Sequence, residues 1–180
     1  MEANIYTKTT MKQKRGSQLL AMAMLASFLL LPAHALAAKK ADFSGEWALN
    51  ESKSDLGEGR FFSAVKMAVT QEKNTMTLER TRVGRDGQER TNSEVLTLDG
   101  KENINKRENR SSTSTATWSD DGKTLTIKTD TEFNRQGETF KMKSTETWAL
   151  GEDGKTLIIR SESSSRRGER SVTLVYDRKP

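Results

Sequence analysis

The feature that most constrains this chain is a unit written twice. Residues 115–132 read TATWSDDGKTLTIKTDTE, and residues 145–162 read TETWALGEDGKTLIIRSE with two extra residues before the turn. In each copy a tryptophan, Trp118 or Trp148, ends an alternating run. An Asp-Gly step follows, and a second alternating run begins. Alternation sends successive side chains to opposite faces of a strand, and Asp-Gly supplies the positive φ of a tight reversal. Each copy therefore predicts a β-hairpin.

The same pattern extends over most of the chain. Phe43, Gly45, Trp47 and Leu49 share one face of a first strand over residues 42–50. Further strands are predicted at residues 65–70, 75–83, 88–98, 102–106, 112–118 and 139–150. Three more carry single-face sets: Leu125, Ile127, Thr129 and Thr131; Leu157, Ile159 and Ser161; Val172, Leu174 and Tyr176. The longest connection, Ser52 to Phe62, predicts a lid or an Ω-loop. No helix is predicted after residue 37, and the only Pro there is Pro180. Ten short strands joined by hairpin turns predict an all-β, antiparallel up-and-down meander. Closing it into a barrel of 8–10 strands removes the exposed edges.

The N-terminus reads as a targeting segment. Lys12, Lys14 and Arg15 precede an apolar run of 14 residues, Leu19 to Pro32, and Ala35-Leu36-Ala37 follows. This predicts a signal peptide over residues 1–37 and a mature domain over residues 38–180, periplasmic or secreted. The apolar run is too short to span a bilayer, so no membrane span is expected. Removing the segment takes away four basic and one acidic residue and leaves 26 against 24, a formal charge of +2. Most of the apparent basicity belongs to the leader, and nucleic acid is not expected as a partner. Residues 38–180 contain no Cys and no His, since the single His is His34. That excludes His-based acid–base work, Ser-His and Cys-His nucleophiles, and the usual transition-metal sites. No catalytic residue, metal or cofactor is assigned, and the protein is expected not to be an enzyme.

Phe43-Ser44-Gly45-Glu46-Trp47, with its Gly45-x-Trp47 motif, precedes a meander of this length. In this the chain resembles the lipocalin and fatty-acid-binding-protein superfamily. With DFSGEWALNESKSD and the DGKTLTI-type hairpins it resembles, more closely, the exported bacterial lipocalin-like domain proteins. The resemblance covers about Phe43 to Arg178. It implies a lipocalin-like β-barrel in which Trp47 sits at the closed end against a basic residue after the last strand. Arg178 is the matching position, and a cation–π contact would supply the attraction. The chain departs from lipocalins in having ten strands and no C-terminal helix, and from fatty-acid-binding proteins in lacking a helical pair after strand one.

A meander also has a parity. Turns after even-numbered strands share one end, where Trp47, Trp118, Trp148 and Arg178 gather; with Met76, Leu78, Leu98, Leu125 and Leu157 they predict an apolar plug. The other end carries the long connection and ten arginines: 60, 82, 85, 90, 107, 110, 135, 166, 167 and 170. Two readings of that rim stand side by side, a mouth that attracts an anion and a solvated edge. The inner faces near it are rich in Ser and Thr, which leaves room for a wet cavity. Arg80 and Glu146 would point inward at mid-height, either as a structural ion pair or as ligand contacts. The candidate ligand-binding residues are Arg80, Arg82, Phe140, Met142, Ser144 and Glu146. Phe61 and Phe62 flank the mouth, and one of them is expected to enter the core. The predicted function is an exported, monomeric, non-enzymatic binding protein for a small amphipathic or anionic ligand. The alternative is a ligand-free interaction or envelope-stress module that works through its Arg-rich rim. Two inward carboxylates at catalytic separation would favour an enzyme instead.

Overall fold

The computed structural model describes residues 39–57, 63–166 and 168–180. The predicted signal peptide, His34, Arg60, Phe61, Phe62 and Arg167 lie outside them. All ten strands form. β1 (Gly45–Leu49), β2 (Lys66–Gln71), β3 (Thr75–Val83), β4 (Glu89–Thr97) and β5 (Glu102–Arg107) come first. β6 (Arg110–Trp118), β7 (Thr124–Arg135), β8 (Glu138–Leu150), β9 (Thr156–Ser165) and β10 (Gly168–Arg178) follow. They make one antiparallel sheet in the order β4-β3-β2-β1-β10-β9-β8-β7-β6-β5. Each strand pairs with its sequence neighbour, except that β1 pairs with β10 and no ladder joins β4 to β5.

The sheet curls until those two edges meet through side chains. Near the lower end Asn103 Oδ1 accepts from Thr97 N at 3.0 Å, and Asn103 Nδ2 donates to Thr97 Oγ1 at 3.1 Å. Higher up, Arg107 donates to the Asn92 side chain and to Ser93 O. The result is a nearly closed barrel with one seam. Val95 and Ile104, on the outer face of the two edge strands, are among the few large apolar side chains left exposed.

The doubled unit folds as two hairpins with one turn geometry. Gly122 N donates to Ser119 O, and Ser119 N to Thr124 O; Gly154 N donates to Gly151 O, and Gly151 N to Thr156 O. Gly122 and Gly154 take φ of +67° and +64°, where a Cβ would be strained. The two-residue insertion moves the second tryptophan by one rung. Trp118 lies opposite Leu125, and Trp148 lies opposite Ile159 on one side and Leu125 on the other. Both indoles therefore flank a single leucine in the floor.

The predicted plug forms at that end. Phe43, Trp47, Met76, Leu78, Leu125, Trp148 and Leu157 are each at most 1% exposed. Phe43 stacks on Trp118 with centroids 5.7 Å apart and meets Trp148 edge-on, also at 5.7 Å. Arg178 covers Trp47 at 4.3 Å, as the resemblance implied, and it also donates to Ser44 O and Gly154 O. The glycine of Gly45-x-Trp47 belongs to the same interlock: its φ is +130°, and a Cβ there would lie 2.5 Å from the Arg178 guanidinium. Trp47 Nε1 donates to Phe43 O at 2.9 Å, so the indole is buried with its polar atom satisfied.

The connection after β1 departs from the predicted lid over its described part. Glu51–Lys53 is a 3-10 turn capped by Asn50, and the chain then runs along β10. Asp55 pairs with Thr173, and Ser54 Oγ accepts from Val175 N at 2.9 Å. The physical reason is the length mismatch between partners. β1 stops at Leu49 while β10 continues toward the mouth, and residues 50–55 supply hydrogen bonds to the backbone that β1 leaves unpaired. Val175 is buried for the same reason, although its neighbours Leu174 and Tyr176 face the interior.

Candidate functional site

Above the plug the inward positions change character. Along β3 the set runs Met76, Leu78, Arg80, Arg82; along β7 it runs Leu125, Ile127, Thr129, Thr131. Large apolar side chains fill the lower rungs, while short hydroxyl side chains leave space higher up. The space is a cavity of about 730 Å³, lined by the upper rungs of the strands away from the tryptophans. Small-molecule sites commonly occupy roughly 300–1,000 Å³.

The cavity floor is an ion-paired group centred on Arg80. Its guanidinium donates to Glu146 Oε2 at 2.7 Å and lies 3.3 Å from Glu94 Oε1. Glu146 Oε2 also accepts from Trp148 Nε1 at 3.0 Å, and the Arg80 guanidinium sits 5.6 Å from the Trp148 ring centre. Burial pulls the Arg80 pKa down, but the two carboxylates more than offset it, and the net direction is up. Arg82, one rung higher, goes the other way. Burial lowers its pKa, and the nearby charges of Arg80 and Arg110 add to the lowering. Tyr176 closes the floor on the β10 side with its hydroxyl donating to Ala64 O at 2.9 Å, and burial pushes its pKa up.

Among the described residues the lining holds six basic side chains, Arg80, Arg82, Lys106, Arg107, Arg110 and Arg170, against two acidic ones, Glu94 and Glu146. Both carboxylates are engaged by Arg80, so the upper cavity carries a positive excess. Two of the lining residues carry a buried polar atom without a hydrogen-bond partner, Thr131 Oγ1 and Asn105 Nδ2. Such groups ordinarily find a partner in water or a ligand.

Five of the six residues singled out from the sequence line the cavity: Arg80, Arg82, Met142, Ser144 and Glu146. Phe140 does not. It sits at the outer end of the β7–β8 hairpin, stacked on Phe133 at 5.2 Å, with the Arg166 guanidinium 5.9 Å from its ring. The hairpin is longer than its neighbours and carries this aromatic pair beyond the cavity proper. The rim divides in the same way. Arg82, Arg107, Arg110 and Arg170 line the cavity, whereas Arg90 pairs with Asp86 across the β3–β4 turn. Glu94 is the residue that the sequence reading missed. Its signal was present, because it lies two positions before the buried Leu96 and shares that face of β4. Among the described residues no group of three or more acidic, His or Cys side chains is placed to hold a metal ion.

No protein-family model matches the chain, and no curated protein matches it. Among solved structures the chain is similar to zebrafish ileal bile acid-binding protein, crystallised in complex with cholic acid. The identity is 16%, the TM-score 0.46, and the match covers 76% of this chain and 98% of that one.

Proposed function

We propose that this protein is an exported binding protein for a small anionic molecule held in the upper half of its barrel. The observation that carries the reading is the charge of the lining: six cations, two anions, and both anions engaged by Arg80. An anion placed among Arg82, Arg107 and Arg110 would relieve their mutual repulsion and gain charge-assisted hydrogen bonds. The partly apolar wall, with Met67, Ile127, Ile159 and Leu174, accommodates an amphipathic molecule. Export is supported by the basic residues, apolar run and Ala-x-Ala step at the N-terminus. Two carboxylates do face inward, Glu94 and Glu146, but Arg80 bridges them. A guanidinium bound to both occupies the space between them, which suits a rigid floor better than a general acid with a general base.

The test is titration with 8-anilinonaphthalene-1-sulfonate, an anionic amphipathic probe. One probe per chain should bind, with affinity falling at high salt. Arg82→Met and Arg110→Met should each weaken it about tenfold or more. Unchanged affinity in both variants would overturn the reading and favour an interaction module that works through its rim. Native mass spectrometry of protein taken from its own host would then report whether any small molecule accompanies the chain. N-terminal sequencing of the same sample tests cleavage before Ala38.

A further inference from the structure

The cavity wall on β7 to β9 has a property besides charge. Ser114 on β6, Thr129 on β7, Ser144 on β8 and Ser163 on β9 are lateral partners in one rung. Thr129, Ser144 and Ser163 line the cavity, so three adjacent strands present hydroxyl side chains to it side by side, over roughly 10 Å at the usual strand spacing, with Ser114 buried at the end of the row. Ser114 and Thr129 share a hydrogen bond at 3.0 Å. One rung higher, Thr131 is 2% exposed and its Oγ1 has no partner. Asn105 Nδ2, buried at the seam, is in the same condition. An aliphatic chain laid on this wall would displace water from the hydroxyls and return no hydrogen bonds, which is unfavourable. A molecule bearing several hydroxyls would meet donors and acceptors at every strand.

The acidic end of such a molecule has a place as well. Arg107 and Arg110 face each other across the β5–β6 ladder, and Arg110 lies near enough to Arg82 to depress its pKa. The arginines stand at the mouth and the hydroxyl rung below them. We propose that the ligand is a polyhydroxylated anion, in chemical class a sugar acid or sugar phosphate. Its hydroxyls lie on the β7–β9 part of this rung and its charge sits among Arg82, Arg107 and Arg110. This inference rests on the anion-binding reading above and narrows it.

The experiment is calorimetric titration of the protein with three probes: digalacturonate, dodecanoate and the neutral sugar cellobiose. Digalacturonate should bind about tenfold or more tightly than either of the others. The double variant Thr129→Val, Ser144→Ala should weaken digalacturonate by about tenfold and leave dodecanoate unchanged or tighter. Ser163→Ala, a smaller change, should weaken digalacturonate in the same direction and guards against a folding defect in the double variant. Dodecanoate binding as tightly as digalacturonate would overturn the hydroxyl assignment and leave the anion reading standing. Binding of neither anion would overturn both. Digalacturonate affinity unmoved by the hydroxyl variants would also overturn the assignment.

Discussion

The two ends of the barrel are built from the same strands with the same period, yet they differ in what their inward positions hold. At the lower end Trp47, Trp118, Trp148 and Phe43 interlock with Leu78, Leu125 and Leu157. At the upper end the corresponding positions are Ser114, Thr129, Ser144, Ser163 and a group of arginines. The lower end gains free energy from buried apolar area and close contact. The upper end forgoes that gain, and its polar groups have most to gain from a bound molecule. On the proposed function, this contrast puts stability at one end and binding at the other, with the Arg80–Glu94–Glu146 group as the boundary.

The most forceful way to break this division is Trp47→Ala. It removes a buried ring, its hydrogen bond to Phe43 O and the surface on which Arg178 lies. Urea unfolding should show a loss of roughly 3–5 kcal/mol, with probe affinity per folded molecule unchanged. A loss below about 1 kcal/mol would mean that the plug does not hold the barrel. Next comes the boundary. Glu146→Gln removes half of the charge that compensates Arg80 and weakens the acceptor of Trp148 Nε1, so destabilisation of roughly 3 kcal/mol is expected. No change in unfolding free energy would show that Glu94 alone suffices.

In the upper end the signs separate. Arg82→Met should weaken the anionic probe about tenfold, or about 1.4 kcal/mol. Its unfolding free energy should stay level or rise, because burial and Arg80 already disfavour the Arg82 charge in the folded state. An Arg82→Met variant that both unfolds easily and binds normally would reverse the assignment of the two ends.

The smallest effect sits on Tyr176. Tyr176→Phe should cost about 1 kcal/mol near neutral pH through its bond to Ala64 O. Because burial raises the tyrosine pKa, the folded chain keeps a proton that the unfolded chain releases above about pH 10. The stability linked to that proton is fully present below about pH 10 and is lost as pH rises further. The wild type should therefore lose stability more steeply than Tyr176→Phe on the alkaline side, in unfolding curves taken at stepped pH. Parallel curves would show that the hydroxyl is not held in a dry site.

The lower end was legible from local pattern. Leu125 and Leu157 stand at fixed distances from Asp-Gly turns, and alternation alone puts them, with Met76 and Leu78, on one face. Arg80 and Glu146 could be aimed inward by the same parity. Their third partner was not found, because Glu94 lies on β4, whose apolar signal is weak: Leu96 is the one buried residue of that strand. Phe140 shows the opposite error. Its face was read correctly, but its height was not, since the extra length of β7 and β8 lifts it out beside Phe133. The length of the connection after β1 predicts a lid or an Ω-loop, whereas residues 50–55 of it follow the unpaired backbone of β10.

What the amino-acid sequence determined by itself is the antiparallel meander, the positions of the tight turns and the segregation of apolar from hydroxyl side chains along each strand. These follow from the two-residue period and from glycine's access to positive φ, and both act within a few residues. Only the tertiary structure decided that β1 and β10 pair and that β4 and β5 meet through Asn103 and Arg107. It alone brought Glu94 and Glu146 to one arginine and set four hydroxyls in a single rung. Those arrangements depend on lateral register and on curvature of the whole sheet, which sum small twists over ten strands.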